Sequence, residues 1–222
     1  MNLEMLPDYL KSYDALIQHF RAELDTYSNT EKGDRFAHFI QRLFPQTYLN
    51  EDFGQPELST KKSRDRGIDL TAKHRIKDVL LHGQAKLWID KSETIDSILS
   101  KFQDVTAKAS STITSGGQYV FDFSQQSHFL ITTLSKLDGI LKRYENREFA
   151  SKSFYLTLKS EKRLHILDGN VIFPLLQKAY GKITEPPPKL TLVSETAFTH
   201  KDNVYFGVIS SATIKNLVVV NK

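Results

Sequence analysis

The chain contains no cysteine. That excludes disulfides and cysteine-ligated zinc, and it fits a reducing, cytoplasmic setting. Long apolar runs are also missing. The longest are far too short to span a bilayer, so no membrane partner is expected. The opening residues, MNLEMLPDYLKSYD, mix charges too early for a signal peptide. A glycine-rich phosphate loop is absent as well. Ser211-Ala212-Thr213-Ile214-Lys215-Asn216 lacks the glycines and the Lys-Ser/Thr pair that cradle phosphates, so no ATP binding is expected.

What remains is ordinary in amount and informative in order. The 222 residues are 40% hydrophobic and 25% charged, enough for one good core or one domain with an appendage. Thirty basic residues against 26 acidic ones give a net charge of +4 and a pI near 9.0. That mildly favours a polyanionic partner.

Leu10, Tyr13, Ile17, Phe20 and Leu24 recur at three- and four-residue steps and predict a packing helix over 8–27. Ser28, Asn29 and Thr30 are N-cap candidates for a second helix, with Glu31 and Asp34 placed to favour its N-terminal dipole. Phe36, Phe39, Ile40, Leu43 and Phe44 form its apolar stripe, and Pro45 ends it. A strand is expected within Gln46–Phe53. Ser92 opens a helix with an apolar face of Ile95, Ile98, Leu99, Phe102 and Val105. Residues 110–118 read as a loop. Residues 129–134 read as a buried strand, a helix follows from Ser135, and 154–158 read as a further strand. A turn at 168–170 leads to a short helix ended by Gly181. Alternating strands and helices indicate an α/β layered domain. Pro186-Pro187-Pro188 marks a boundary before a tail with strands at 204–209 and 217–220. The expected organisation is a packing helix at 1–27, a main domain at 28–182, and a linker with a β-containing tail at 183–222.

The stretch from Arg64 to Trp88 organises the rest. Two short apolar runs, Gly67–Ala72 and Val79–Leu81, flank a polar turn and predict a hairpin. Polar residues interrupt both arms. Asp69 lies between Ile68 and Leu70, while Gln84 and Lys86 alternate with Ala85 and Leu87. Side chains alternate faces with period two, so Gln84 and Lys86 share one. A paired hairpin can bring a carboxylate, an amide and an ammonium to one spot. Asp69 and the Gln84 oxygen suit a hard cation such as Mg2+, for which Mn2+ can substitute. The Lys86 ammonium could hold the attacking water or stabilise charge on a phosphate. The preceding loop carries Lys61, Lys62, Arg64 and Arg66, candidate phosphate contacts beside the site. A solvated surface loop is the plain alternative. Trp88 reads as core or rim packing, and His82 as structural.

Gly67-Ile68-Asp69 followed by Gln84-Ala85-Lys86, with 84 − 69 = 15 residues between acid and amide, resembles the core motif of the PD-(D/E)XK nuclease superfamily. The Q-x-K form is similar to the Mrr-like branch. "EKGDRFAHFIQRLF", "DRGIDLTAK" and "HGQAKLW", in this order, resemble the N-terminal nuclease domain of type ISP restriction–modification enzymes and their helicase-linked relatives. The resemblance covers about residues 28–180. It implies a restriction-endonuclease-like core with a mixed central sheet flanked by helices. It implies a cytoplasmic, Mg2+-dependent DNA endonuclease of a restriction system, with Asp69, Gln84 and Lys86 as the cleavage site. Asp65 falls where the family often has an assisting acid. The family's first helix usually carries Phe-Glu, and here the pair is Phe36-Ala37. Glu31, about 600° of helical turn earlier, points elsewhere, whereas Asp34 lies nearer that face and is an auxiliary candidate. Implied partners are DNA, helicase or methyltransferase modules, and a second copy of the chain on DNA. Two other readings stand beside this one: a DNA-binding module with little cleavage, and a structure-selective, resolvase-like nuclease.

Overall fold

The computed structural model describes residues 6–59, 67–109, 112–113, 119–120, 127–184, 198–200, 203–210 and 213–221. Contacts divide the chain into one unit of residues 2–177 and another that holds 178–222.

The first unit is built on a five-stranded open sheet of order β1-β2-β3-β6-β7. Its strands are β1 (Glu57–Leu58), β2 (Leu70–Lys73), β3 (Leu80–Ala85), β6 (His128–Thr132) and β7 (Leu164–Leu167). The first three pair antiparallel, and β3-β6-β7 run parallel, so the sheet is mixed. A two-stranded ribbon pairs β4 (Thr112–Ile113), within the 110–118 segment expected to be loop, with β5 (Tyr119–Val120), just after it. Six helices accompany these strands: α1 (Tyr13–Leu24), α2 (Asn29–Leu43), α3 (Ser92–Ala109), α4 (Asp138–Glu145), α5 (Lys152–Ser160) and α6 (Gly169–Thr184).

Strand periodicity sorts the core into two layers. On β6, Leu130 packs with Phe36, Ile40 and Leu43 of α2 and Ile172 of α6. Its neighbours Phe129 and Ile131 face the other way, against Ile98, Leu99 and Phe102 of α3 and against Tyr144 and Leu158 beyond them. Each such fully buried side chain contributes about 1.5–3 kcal/mol of transfer free energy. This is the layered α/β arrangement.

Local chemistry sets the helix starts. Ser12 Oγ accepts the Ala15 N–H at 3.1 Å at the head of α1. At α2, Ser28 Oγ accepts the Glu31 N–H at 3.3 Å, and Glu31 Oε2 accepts the Ser28 N–H at 2.9 Å. This reciprocal capping box is worth about 1 kcal/mol. It fixes where α2 begins, and so where Gly33, Asp34 and Ala37 stand.

Three expectations are corrected. Residues 46–53 form no strand. Two single turns of tighter helix, Phe44–Gln46 and Tyr48–Asn50, lead to an isolated bridge from Phe53 to His74. Pro45 breaks the α-helical ladder there but suits a tighter turn. Residues 154–158 are helical, within α5. Tyr155 and Leu158 are buried one turn apart while Leu156 is 48% exposed. A strand would bury 154, 156 and 158 alike, so the burial has a helical period. The helix α6 also runs through Gly181 to Thr184, with Pro174 inside it, and is longer than expected.

In the second unit, β8 (Phe198–His200), β9 (Asn203–Ser210) and β10 (Thr213–Asn221) form an antiparallel sheet of order β10-β9-β8. Its register shifts between Ile214 and Asn216, the mark of a bulge. Among the described residues, no helix is long and apolar enough to cross a membrane.

Candidate functional site

The β2–β3 register builds the site. Leu70 pairs with Gly83, and the Asp69 N–H donates to the Gly83 carbonyl at 2.8 Å. Asp69 therefore enters β2 level with Gln84, the fifth residue of β3. Its Oδ2 accepts a hydrogen bond from Gln84 Nε2 and a second, at 2.8 Å, from the Ala85 N–H. Hydrogen bonds to a charged group contribute about 1.5–3 kcal/mol each, so these two fix the carboxylate against the end of β3. Two residues after Gln84, Lys86 leaves the sheet, anchored by its N–H on the Thr132 carbonyl at 2.9 Å.

Asp69, Gln84 and Lys86 line a single open cavity of about 620 Å³. It lies at the carboxyl end of β3, where the sheet changes from antiparallel to parallel pairing, the usual position for a ligand crevice in an open α/β sheet. The α2 helix supplies one side through Asn29, Thr30, Gly33, Asp34, Ala37 and His38. The α3 helix supplies Lys101, and Leu58, Ser59 and Gly67 complete the lining.

Gln84 is only 3% exposed, yet its Oε1 has no hydrogen-bond partner. An unmet buried acceptor costs about 1–3 kcal/mol, so it calls for an explanation. Among the described residues, Thr132 Oγ1, on the strand position that pairs with Ala85, is the other such atom. Glycine at 67 is required by its φ of +78°, a left-handed conformation that costs other residues strain. It also leaves room: a Cβ there would stand 2.9 Å from Gln84 Oε1. The orphan oxygen thus faces the cavity lining rather than the core.

The donor set fits a hard divalent cation. It offers one carboxylate, on Asp69, and one buried neutral oxygen, on Gln84, both of the hard oxygen type that Mg2+ takes. Among the described residues no group of three His, Cys, Asp or Glu side chains is gathered to hold a metal. Mg2+ commonly keeps several waters and takes its remaining ligands from substrate phosphate.

Asp34 lines the same cavity from α2, one turn before Ala37. Glu31 is instead folded back into the capping box. Asp65, Lys61, Lys62, Arg64 and Arg66 lie outside the described residues. His82 is packed at 5.9 Å against the Phe129 ring, and burial pulls its imidazole below the usual histidine range. Trp88 is 36% exposed and does not line the cavity; the Arg21 guanidinium lies 5.4 Å above its ring. Lys101 and Gly33 are lining residues that a reading of the apolar pattern passes over. The sequence shows Lys101 only as a lysine next to Ile98, Leu99 and Phe102, a position that an ordinary stem-packed lysine also takes.

No protein-family model, curated protein or solved structure matches the chain.

Proposed function

We propose that the chain is a Mg2+-dependent DNA endonuclease that hydrolyses a phosphodiester in the cavity between α2 and α3, on a restriction-endonuclease-like core. The observation that carries this reading is the meeting of Asp69, the unsatisfied Gln84 oxygen and Lys86 on one opening at the end of a two-strand arm. A structural ion pair would need neither the amide nor the orphan oxygen.

Asp69 and Gln84 Oε1 would hold the metal. When bound, it would acidify a water and polarise the scissile phosphate. Gln84 Nε2 and the Ala85 N–H hold the Asp69 carboxylate in one orientation. Lys86, exposed at the cavity, would orient the attacking water and meet negative charge gathering on the phosphate. Asp34, which lines the same cavity, would serve as an auxiliary acid. Cytoplasmic restriction, action beside helicase or methyltransferase modules, and pairing of two copies on DNA for a double-strand cut belong to the same proposal.

The test is cleavage of supercoiled DNA with Mg2+ by the parent, Asp69→Ala and Lys86→Ala. Loss of cutting in both variants supports the reading. Cutting at the parent's rate in both refutes it. A second reading rests on Ala37: the position that resembles a family glutamate carries no carboxylate, although it lines the cavity. A DNA-binding module with little cleavage would bind duplex in a salt-dependent way and show no metal-dependent cutting.

A further inference from the structure

Lys101 projects from α3 beside residues that are otherwise core. Ile98 and Phe102 are buried in the second layer, while Lys101 is half-buried and lines the cavity. Its side chain lies over Gly67. A Cβ at Gly67 would come within 2.7 Å of Lys101 Nζ and 2.8 Å of its Cδ. The same point is 2.9 Å from Gln84 Oε1, so the missing side chain opens a space that the ammonium and the buried amide oxygen share. Among the described residues, none ion-pairs or hydrogen-bonds with Lys101 Nζ. Asp69 and Asp34 line the same cavity, but neither is tied to this ammonium by a direct ion pair, so its donors stay open to an incoming anion. The arrangement makes sense when an anion enters the cavity.

We propose that Lys101 is a second cationic contact of this site, gripping a non-bridging oxygen of the DNA phosphodiester bound there. The inference rests on the nuclease reading of the cavity. Lys86 arrives from the exposed end of a strand and Lys101 from a helix, so two cations approach one phosphate from different elements. Charge on the non-bridging oxygens grows towards the transition state, and a pre-placed ammonium meets it without reorganisation.

The experiment uses the full chain, Lys101→Ala and Lys101→Met, the second keeping most of the stem that covers Gly67. Binding of a short DNA duplex is followed by fluorescence anisotropy without metal over a range of salt. Losing one phosphate contact flattens the slope of log K against log salt by about 0.9. With Mg2+, kcat should fall about 100-fold, the loss typical of one charge-stabilising donor. Unchanged thermal melting shows that the variants are folded. A parental slope in both variants overturns the proposal, whatever the rate. If Asp69→Ala still cuts at the parental rate, the nuclease reading fails on its own, and the slope still decides whether Lys101 holds a phosphate.

Discussion

Asp168 and Gln84 are both buried polar residues at strand ends of one sheet, 6% and 3% exposed. Asp168 follows β7 and is saturated. Its Oδ2 accepts the Leu137 N–H at 2.8 Å and Asn170 Nδ2 at 3.2 Å, and its Oδ1 accepts the Asn170 N–H at 3.0 Å. Between two helices, Asp96 Oδ1 likewise takes the Ser151 hydroxyl at 2.6 Å and the Ser151 N–H at 3.0 Å. The first network ties the start of α4 and of α6 to the end of β7, and the second ties α3 to the start of α5. Gln84 spends its N–H on Asp69 and leaves its oxygen unmet. A buried polar group that serves only the fold is satisfied by the fold. One left open beside a cavity is a place for something else to bind. The comparison separates a structural carboxylate from a candidate functional amide without reference to any relative.

Substitutions at the two ends should therefore fail differently. The largest effect is expected at Asp69. Removing an outer-shell partner of a metal costs about 10–100-fold, so losing a direct ligand in Asp69→Ala should cost more than about 100-fold in Mg2+-dependent cleavage. A plasmid-nicking time course measures this. At the closed end, Asp168→Ala removes a helix cap and leaves the buried Leu137 N–H without an acceptor. It should lower unfolding free energy by about 2–4 kcal/mol in urea titration, with no direct effect at the cavity. If Asp168→Ala were as stable as the parent, the saturated network would not have the role given to it.

Gln84→Met sharpens the contrast. It removes the orphan oxygen together with the donor to Asp69, at similar volume. Stability should change by less than about 1.5 kcal/mol, because a volume-conserving apolar swap is tolerated and an unmet acceptor is relieved. Cleavage should still fall at least about 10-fold. Equal losses of stability and rate would mean that Gln84 is only a packing residue.

The smallest effect concerns a third polar group. His165 Nε2 and His128 Nδ1 lie 2.9 Å apart, and the Tyr48 hydroxyl is 3.3 Å from His165 Nδ1. Burial lowers the His165 pKa to about 4 from 6.5, helped by the charge of His128, and burial lowers His128 as well. The unfolded chain therefore binds more protons between about pH 6.5 and pH 4. Stability contributed by the neutral ring is full above pH 6.5 and is lost as pH falls towards 4. Melting temperature against pH should slope downward on acidification across that window, and His165→Gln should flatten the slope. An unchanged slope would contradict the assignment.

Much of this was legible in the residues. The hairpin from Gly67 to Lys86 is written in alternation, because period two fixes which side chains share a face once the register is known. Helices α1, α2 and α3 are written in apolar stripes and in the Ser28–Glu31 cap. The 154–158 segment was not legible. Phe-Tyr-Leu-Thr-Leu has strand-like composition, and a short apolar run does not separate strand from helix. Only its packing, with Tyr155 and Leu158 inward and Leu156 outward, decides. Residues 46–53 misled for a related reason: Leu49 and Phe53 are buried four apart around two tight turns, while Tyr48 is 54% exposed. Lys101 was hidden because its meaning depends on Gly67, more than thirty positions away in sequence and adjacent only after α3 packs on the sheet. The orphan oxygen of Gln84 has no sequence signature at all, since satisfaction is a property of the folded neighbourhood.

The most direct test of the open site is a crystal of the full chain soaked in Mn2+, with anomalous scattering recorded at the metal edge. A single peak about 2.0–2.3 Å from both the Asp69 carboxylate and Gln84 Oε1 is the expected result. Saturating Mn2+ with no peak between those two side chains would contradict the account.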